Sequence, residues 1–306
     1  MIIISHPSCL EHLSPEGHPE CPERIEAIRN QLIASGLEFV ISERDAQPAT
    51  DAQLHAVHDK EYLTSLEGMP PSRGVRTFAD DIWMSPHTLT AARHAAGAGP
   101  QAVDLVLQGT TKAVFCNVRP PGHHAERARA MGFCFYNNIA IAARYALDQA
   151  GINRVAILDF DVHHGNGTQD IFLDEPRVLF CSTFQHPFYP HTDTQPDRPY
   201  IVNAPLAATA KGTEFRRAVE QAWLPALENF APQILFISAG FDAHLLDDMS
   251  SVSLVEQDYQ WVSATLRDYV DTHPDCKGIV SMLEGGYDLP ALGRSVVAHI
   301  KGLAKL

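Results

Sequence analysis

The 306-residue sequence has no apolar run approaching the ~20 residues that a membrane-spanning helix requires. Its first residues, Met-Ile-Ile-Ile-Ser-His-Pro, lack the basic region and long apolar segment of a secretion signal. A cytoplasmic protein with no membrane association is therefore expected. Cysteine is sparse: Cys9, Cys21, Cys116, Cys134, Cys181 and Cys276 show neither C-x-x-C spacing nor the density of a disulfide framework, so they read as reduced thiols. Positive charge is also scarce. With 23 Lys and Arg against 37 Asp and Glu the net charge is −14, and no local basic patch offsets it, which argues against direct nucleic-acid binding. No internal repeat or low-complexity linker divides the chain, so residues 1–306 are expected to form one domain, with homo-oligomerisation left open.

What is present is an ordinary globular composition, 45% hydrophobic and 20% charged, with 16 histidines. That many imidazoles directs attention to metal or acid/base chemistry. Short runs rich in Val, Ile and Phe alternate with longer segments of helical period, which predicts an α/β fold with a mostly parallel sheet and helices on both faces. Expected strands are Ile2 to Ser5, Lys112 to Cys116, Arg154 to Phe160, Val178 to Ser182, Gln233 to Ala239 and Gly278 to Glu284. Pro22 is expected as a first helical residue and Gly36 as the end of that helix. Ser85-Pro86 is expected to open an alanine-rich helix that Gly97 to Pro100 interrupts. Further helices are expected over 138–149, 213–230, 253–272 and 289–303, with long loops at 67–81 and 185–198.

The chemistry-bearing residues follow four predicted strand ends, where open α/β sheets place their ligand crevice. Asp161 and His163 lie two residues apart, so an extended backbone points both side chains the same way. Asp242, from another strand end, would complete a three-ligand site with an open position, suited to catalytic zinc or, given its oxygen-rich character, to Fe(II). His123-His124, after a Pro-Pro-Gly turn, suits general acid/base work, with Asp159 and Asn166 as candidate orienting partners. Tyr287, beside two glycines, suits hydrogen bonding to a developing oxyanion. Each residue alone has an ordinary structural reading; their joint placement is what favours catalysis.

With these residues in view the chain resembles the histone deacetylase superfamily, which includes acetylpolyamine amidohydrolases and acetoin-utilisation proteins. The resemblance runs through Gly17-His18-Pro19-Glu20-Cys21-Pro22-Glu23-Arg24, Arg119 to His124, Gly132 to Asn138, Asp159 to Gly167, Ser238 to Asp242 and Glu284 to Asp288. Glu-Gly-Gly-Tyr and Asn166 look more like the class II branch and its bacterial relatives than class I. The resemblance implies an arginase-like α/β domain, with zinc on Asp161, His163 and Asp242. It further implies His124 as principal base and acid, His123 as an electrostatic partner held by Asp159, Asn166 behind His124, and Tyr287 polarising the carbonyl. Gly132, Phe133 and Tyr189 match the lining of a narrow tube for an acyl-lysine or similar chain, and Asp80 or Asp81 matches a rim acid that grips substrate.

A structural potassium ion is implied at Asp159, Ser182 and the backbones of Asp161 and His163. Two departures, His191 in place of Gly and Asp288 in place of Asn, touch the rim rather than the metal. The implied activity is metal-dependent removal of acetyl or another short acyl group from a lysine side chain. The alternatives are a deacetylase of acetylpolyamines or other small acylated amines, and a metalloprotein that binds acylated amines without cleaving them.

Overall fold

The computed structural model describes residues 1–192, 194 and 196–306. Its strands are β1 (Ile2–Ser5), β2 (Ser42–Asp45), β3 (Arg76–Ala79), β4 (Ile82–Met84), β5 (Ala113–Cys116), β6 (Val155–Asp159), β7 (Val178–Gln185), β8 (Ile201–Leu206), β9 (Leu235–Ala239) and β10 (Ile279–Leu283). Eight of them form one sheet in the order β2-β1-β5-β10-β9-β6-β7-β8, and every pairing in it is parallel. The central strands β5, β6, β7, β9 and β10 are buried at every residue, the mark of a sheet covered on both faces.

The helices are α1 (Glu23–Ala34), α2 (Asp51–His55), α3 (Lys60–Glu67), α4 (Thr88–Leu107), α5 (Asn138–Leu147), α6 (Asn166–Phe172), α7 (Gly212–Ala218), α8 (Leu224–Phe230), α9 (Glu256–Thr272) and α10 (Leu289–Ala304). One group packs α10 between α1 and α9, and another pairs α4 with α5. No helix among the described residues is long and apolar enough to cross a membrane.

All six strands read from the sequence are present, and the two strands of the eight-stranded sheet that were not expected sit at its edges. Strand β2 is Ser-Glu-Arg-Asp, exposed throughout, so it carries no apolar signal, while β8 contains Pro205, which only an edge tolerates easily. The segment expected as a loop at 67–81 instead holds most of the antiparallel β3–β4 hairpin, whose turn carries Asp80 and Asp81. The 213–230 segment is not one uniform helix. It passes through a π turn at Val219–Trp223 just before Pro225, which has no N–H to donate.

The alanine-rich helix is a further correction. It runs unbroken from Thr88 to Leu107 through Gly97 and Pro100, and Ser85 does not cap it. The Ser85 hydroxyl bonds instead to the Glu11–Leu13 segment and Thr88. Gly97 is there for contact rather than for flexibility, because a Cβ on it would lie 2.0 Å from the Gln47 carbonyl oxygen and 2.5 Å from the Ala49 nitrogen. In an open helix Gly→Ala would stabilise by about 1 kcal/mol. Here Gly97→Ala is expected to destabilise by about 1–3 kcal/mol through overpacking, measurable as a lower urea midpoint with an unchanged slope.

Candidate active site

The carboxyl ends of β5, β6, β9 and β10 deliver the singled-out residues to one place. Asp159 is the last residue of β6, and Asp161 and His163 follow it in a buried loop; Asp242 follows β9 and is fully buried. One ligand atom from each of Asp161, His163 and Asp242 lies within 4.8 Å of the others. His163 Nδ1 stands 3.1 Å from both Asp161 Oδ1 and Asp242 Oδ2. Room for these oxygens depends on glycine: a Cβ on Gly240 would come within 2.0 Å of Asp161 Oδ2, and one on Gly285 within 2.1 Å of Asp242 Oδ2. The donor set, two carboxylates and one imidazole converging in a buried pocket, fits a divalent cation with positions left open.

The electrostatics support that fit. Burial pushes Asp242 up to about 6 with Asp161 adding to it, and likewise raises Asp159 to about 6. Asp161 goes the other way: burial opposes it, but His123 and His163 hold it well below the usual carboxylate range. His163, which burial would lower, is raised to about 10 by Asp161 and Asp242. The carboxylates thus gather positive charge at the point where a cation would sit.

The histidine pair is built asymmetrically. The His123 Nδ1–H donates to Asp159 Oδ2 at 3.0 Å, and Asp161 and Asp159 together overcome burial and raise His123 to about 10. The His124 Nδ1–H donates to Asn166 Oδ1 at 2.7 Å, an orientation set because the Asn166 amide itself donates to Glu126. Burial, with His123 and His163 close by, holds His124 well below the ordinary imidazole value. His124 is therefore the neutral partner, with Nε2 free to accept a proton.

The residues expected to line the approach lie around this site. Gly132 has φ +57°, and a Cβ there would strike the His124 ring at 2.2 Å, so only glycine fits. Phe133 packs edge-on against Tyr287 at 6.0 Å between centroids, and Tyr189 edge-on against His124 at 5.3 Å. Asp81 is the hairpin-turn acid that reaches the site; its Oδ2 accepts from Gly132 N at 2.9 Å and from the Tyr189 hydroxyl at 2.8 Å, tying both walls together. Asp80 is exposed. Tyr287 is partly exposed, its hydroxyl has no hydrogen-bond partner among the described residues, and burial raises it well above the usual phenol value, so it stays a donor. Ser182 lies opposite Asp159 in the β6–β7 register, with its buried hydroxyl unpartnered among the described residues.

Supporting residues were less legible. Glu284 Oε2 accepts from Gly122 N at 2.7 Å and His123 N at 3.0 Å, fixing the turn before the histidines. Glu20 receives both arms of Arg119 at 2.7 Å and Arg24 at 3.2 Å, all three fully buried. Arg119 also donates to the Cys9 and His12 carbonyls, and Arg24 Nε donates to the Gly286 carbonyl, so this network joins the N-terminal segment to two site loops. The segments that carry the resemblance contain all three; Glu20 and Arg24 are four residues apart, but Arg119 reaches Glu20 across 99 residues with no local signal.

A family model for the histone deacetylase domain matches residues 18–303. A Synechocystis protein described only as uncharacterized is 39% identical over 98% of both chains. A histone deacetylase-like amidohydrolase from Pseudomonas aeruginosa is 35% identical over 94% of this chain and 78% of its own length. The crystal structure of the HDA15 HD domain superposes with a TM-score of 0.92 at 32% identity, covering all of this chain and 91% of that one.

Glu20→Gln is expected to destabilise the fold by about 3–5 kcal/mol, because two buried guanidinium groups lose their counter-charge. Arg119, together with His12, outweighs burial and holds the Glu20 carboxyl well below its usual range. Its contribution is therefore present above the ordinary carboxylate pKa and lost as pH falls through the folded value. The stability gap between wild type and Glu20→Gln should accordingly narrow under acid, as followed by urea titrations at several pH values.

Proposed function

The chain belongs to the histone deacetylase family, and from that premise we propose that it hydrolyses the amide of acetylated or short-acylated lysine side chains, using zinc held by Asp161, His163 and Asp242. The observation that carries this reading is the convergence of those three ligand atoms within 4.8 Å beside a histidine pair with one charged and one neutral member. A divalent ion bound there lowers the pKa of its water and polarises a carbonyl. The residues of the chain do the rest.

Gly132, Phe133 and Tyr189 line the approach and hold an unbranched acyl-amine chain, with Asp81 at the rim. His124 Nε2 takes the proton of the attacking water, its tautomer set by Asn166 at Nδ1. His123, cationic against Asp159, opposes the negative charge that builds up beside it. The Tyr287 hydroxyl donates to the carbonyl oxygen as it gains charge. The proton taken by His124 then passes to the departing amine, so acid and base work close in one cycle. This division of labour also argues against a silent binding module, which has no use for the histidine pair or the tyrosine.

Potassium is proposed at Asp159, the Asp161 and His163 backbones and Ser182, and the support for it is the unpartnered buried Ser182 hydroxyl opposite Asp159. Six free cysteines suit a reducing compartment such as the cytoplasm. The acidic net charge favours cationic substrates of either kind, protein tails or polyamines.

Chelation should abolish deacylation and zinc should restore it, with Fe(II) tested in parallel. A panel of acetyl-lysine peptide, acetylputrescine and acetylspermidine should show the highest kcat/KM on the peptide; higher values on the polyamines would transfer the assignment to the small-amine alternative. Tyr287→Phe should lower kcat by about 100- to 1000-fold with little change in KM, as for loss of one oxyanion donor. Undiminished turnover would remove the tyrosine from the mechanism.

A further inference from the structure

One buried acid near the site has no part in the chemistry above. Asp247 is 5% exposed and lies five residues beyond Asp242, in the loop after β9. Its Oδ2 accepts from Tyr287 N at 2.6 Å and Asp288 N at 3.1 Å, and its Oδ1 accepts from Met249 N at 3.0 Å.

These bonds hold the Tyr287 backbone directly after a pair of glycines. On its N-terminal side are Gly285 and Gly286, and Gly286 sits at φ +121°, a conformation with no Cβ to resist rotation. On its C-terminal side Asp288 caps α10 by accepting from Ala291 N, so the chain becomes rigid one residue later. The Tyr287 ring meets the edge of Phe133 and, at 5.0 Å, the Arg24 guanidinium, while its hydroxyl has no hydrogen-bond partner among the described residues. The position of the hydroxyl is therefore set by its backbone. Arg24 clamps that backbone at the Gly286 carbonyl, and Asp247 clamps it at the two following amides.

We propose that Asp247 is a positioning residue that locks the Tyr287 backbone against the adjacent glycine hinge, so that the phenol points at the carbonyl to be cleaved. This rests on the role given to Tyr287 above. The same loop carries Asp242, so one carboxylate ties the loop of a metal ligand to the loop of the oxyanion donor. Removing it leaves two part-buried N–H groups unpaired beside the hinge, and misplacement of a reacting group by about 1 Å can cost roughly 100-fold in rate.

The test is a double-mutant cycle on the zinc-loaded full chain: Asp247→Ala and Asp247→Asn, each alone and combined with Tyr287→Phe, measured as kcat and KM on an acetyl-lysine peptide, with zinc content and thermal midpoint alongside. Asp247→Ala is expected to lower kcat roughly 10- to 100-fold, with KM nearly constant and zinc content unchanged. Asp247→Asn keeps an acceptor oxygen and a near-identical shape, so it should fold and lose less. In the Tyr287→Phe background, Asp247→Ala should lower kcat by less than about threefold, since the group it positions is already gone.

Equal losses in both backgrounds, or a loss of kcat that follows a loss of zinc, would overturn the inference while leaving the role of Tyr287 intact. Full turnover in Tyr287→Phe alone would overturn both.

Discussion

Four carboxylates, those of Asp159, Asp161, Asp242 and Glu284, are taken out of water at one end of the sheet, each at most 1% exposed. Ionised carboxylates are expensive to bury, and the surrounding structure answers that cost at every turn. Backbone N–H groups of Asp161, Val162 and Gly285 point at the three aspartates, and those of Gly122 and His123 at the glutamate. His123 and His163 lend charge, and glycine at 240 and 285 lets the backbone come close enough to do so. The parallel sheet makes such an arrangement feasible, because its strand ends all open toward the same crevice.

The histidine pair shows two adjacent imidazoles set in different surroundings. Both imidazoles are buried side by side, with ring centroids 4.0 Å apart. One has a carboxylate behind it and the other a carboxamide. A carboxylate stabilises the protonated ring, whereas a carboxamide oxygen selects a tautomer without adding charge. Burial holds the His124 ring toward its neutral form, whereas Asp161 and Asp159 together outweigh burial and hold His123 toward its charged one.

Much of this could be read from the amino-acid order because it is local. Apolar runs identify the central strands, and Asp-x-His at a strand end points both groups one way. The edge strand β2 escapes because an edge has no need to be apolar, and β8 because Pro205 speaks against a strand. Helix α4 defeats the reading of Gly97 and Pro100 as breakers because the glycine serves a tertiary contact with residues 47–49. Glu284 and the Glu20–Arg119 pair depend on partners far along the chain, and no spacing rule reports such distances. Asp81 falls between these cases: its candidacy came from resemblance, but its bond to the Tyr189 hydroxyl appears only when the hairpin and the loop after β7 are seen together.

That last contact has a consequence for how such a protein can diversify. Asp81 braces segments that begin in three separate connections, the hairpin turn, the stretch around Gly132 and the loop bearing Tyr189. Loops on a rigid scaffold are ordinarily the parts that evolution or an engineer exchanges one at a time. Here the three connections lean on one carboxylate like an arch on its keystone, so transplanting any one of them from a relative would leave its two neighbours unsupported, and all three would have to change in concert.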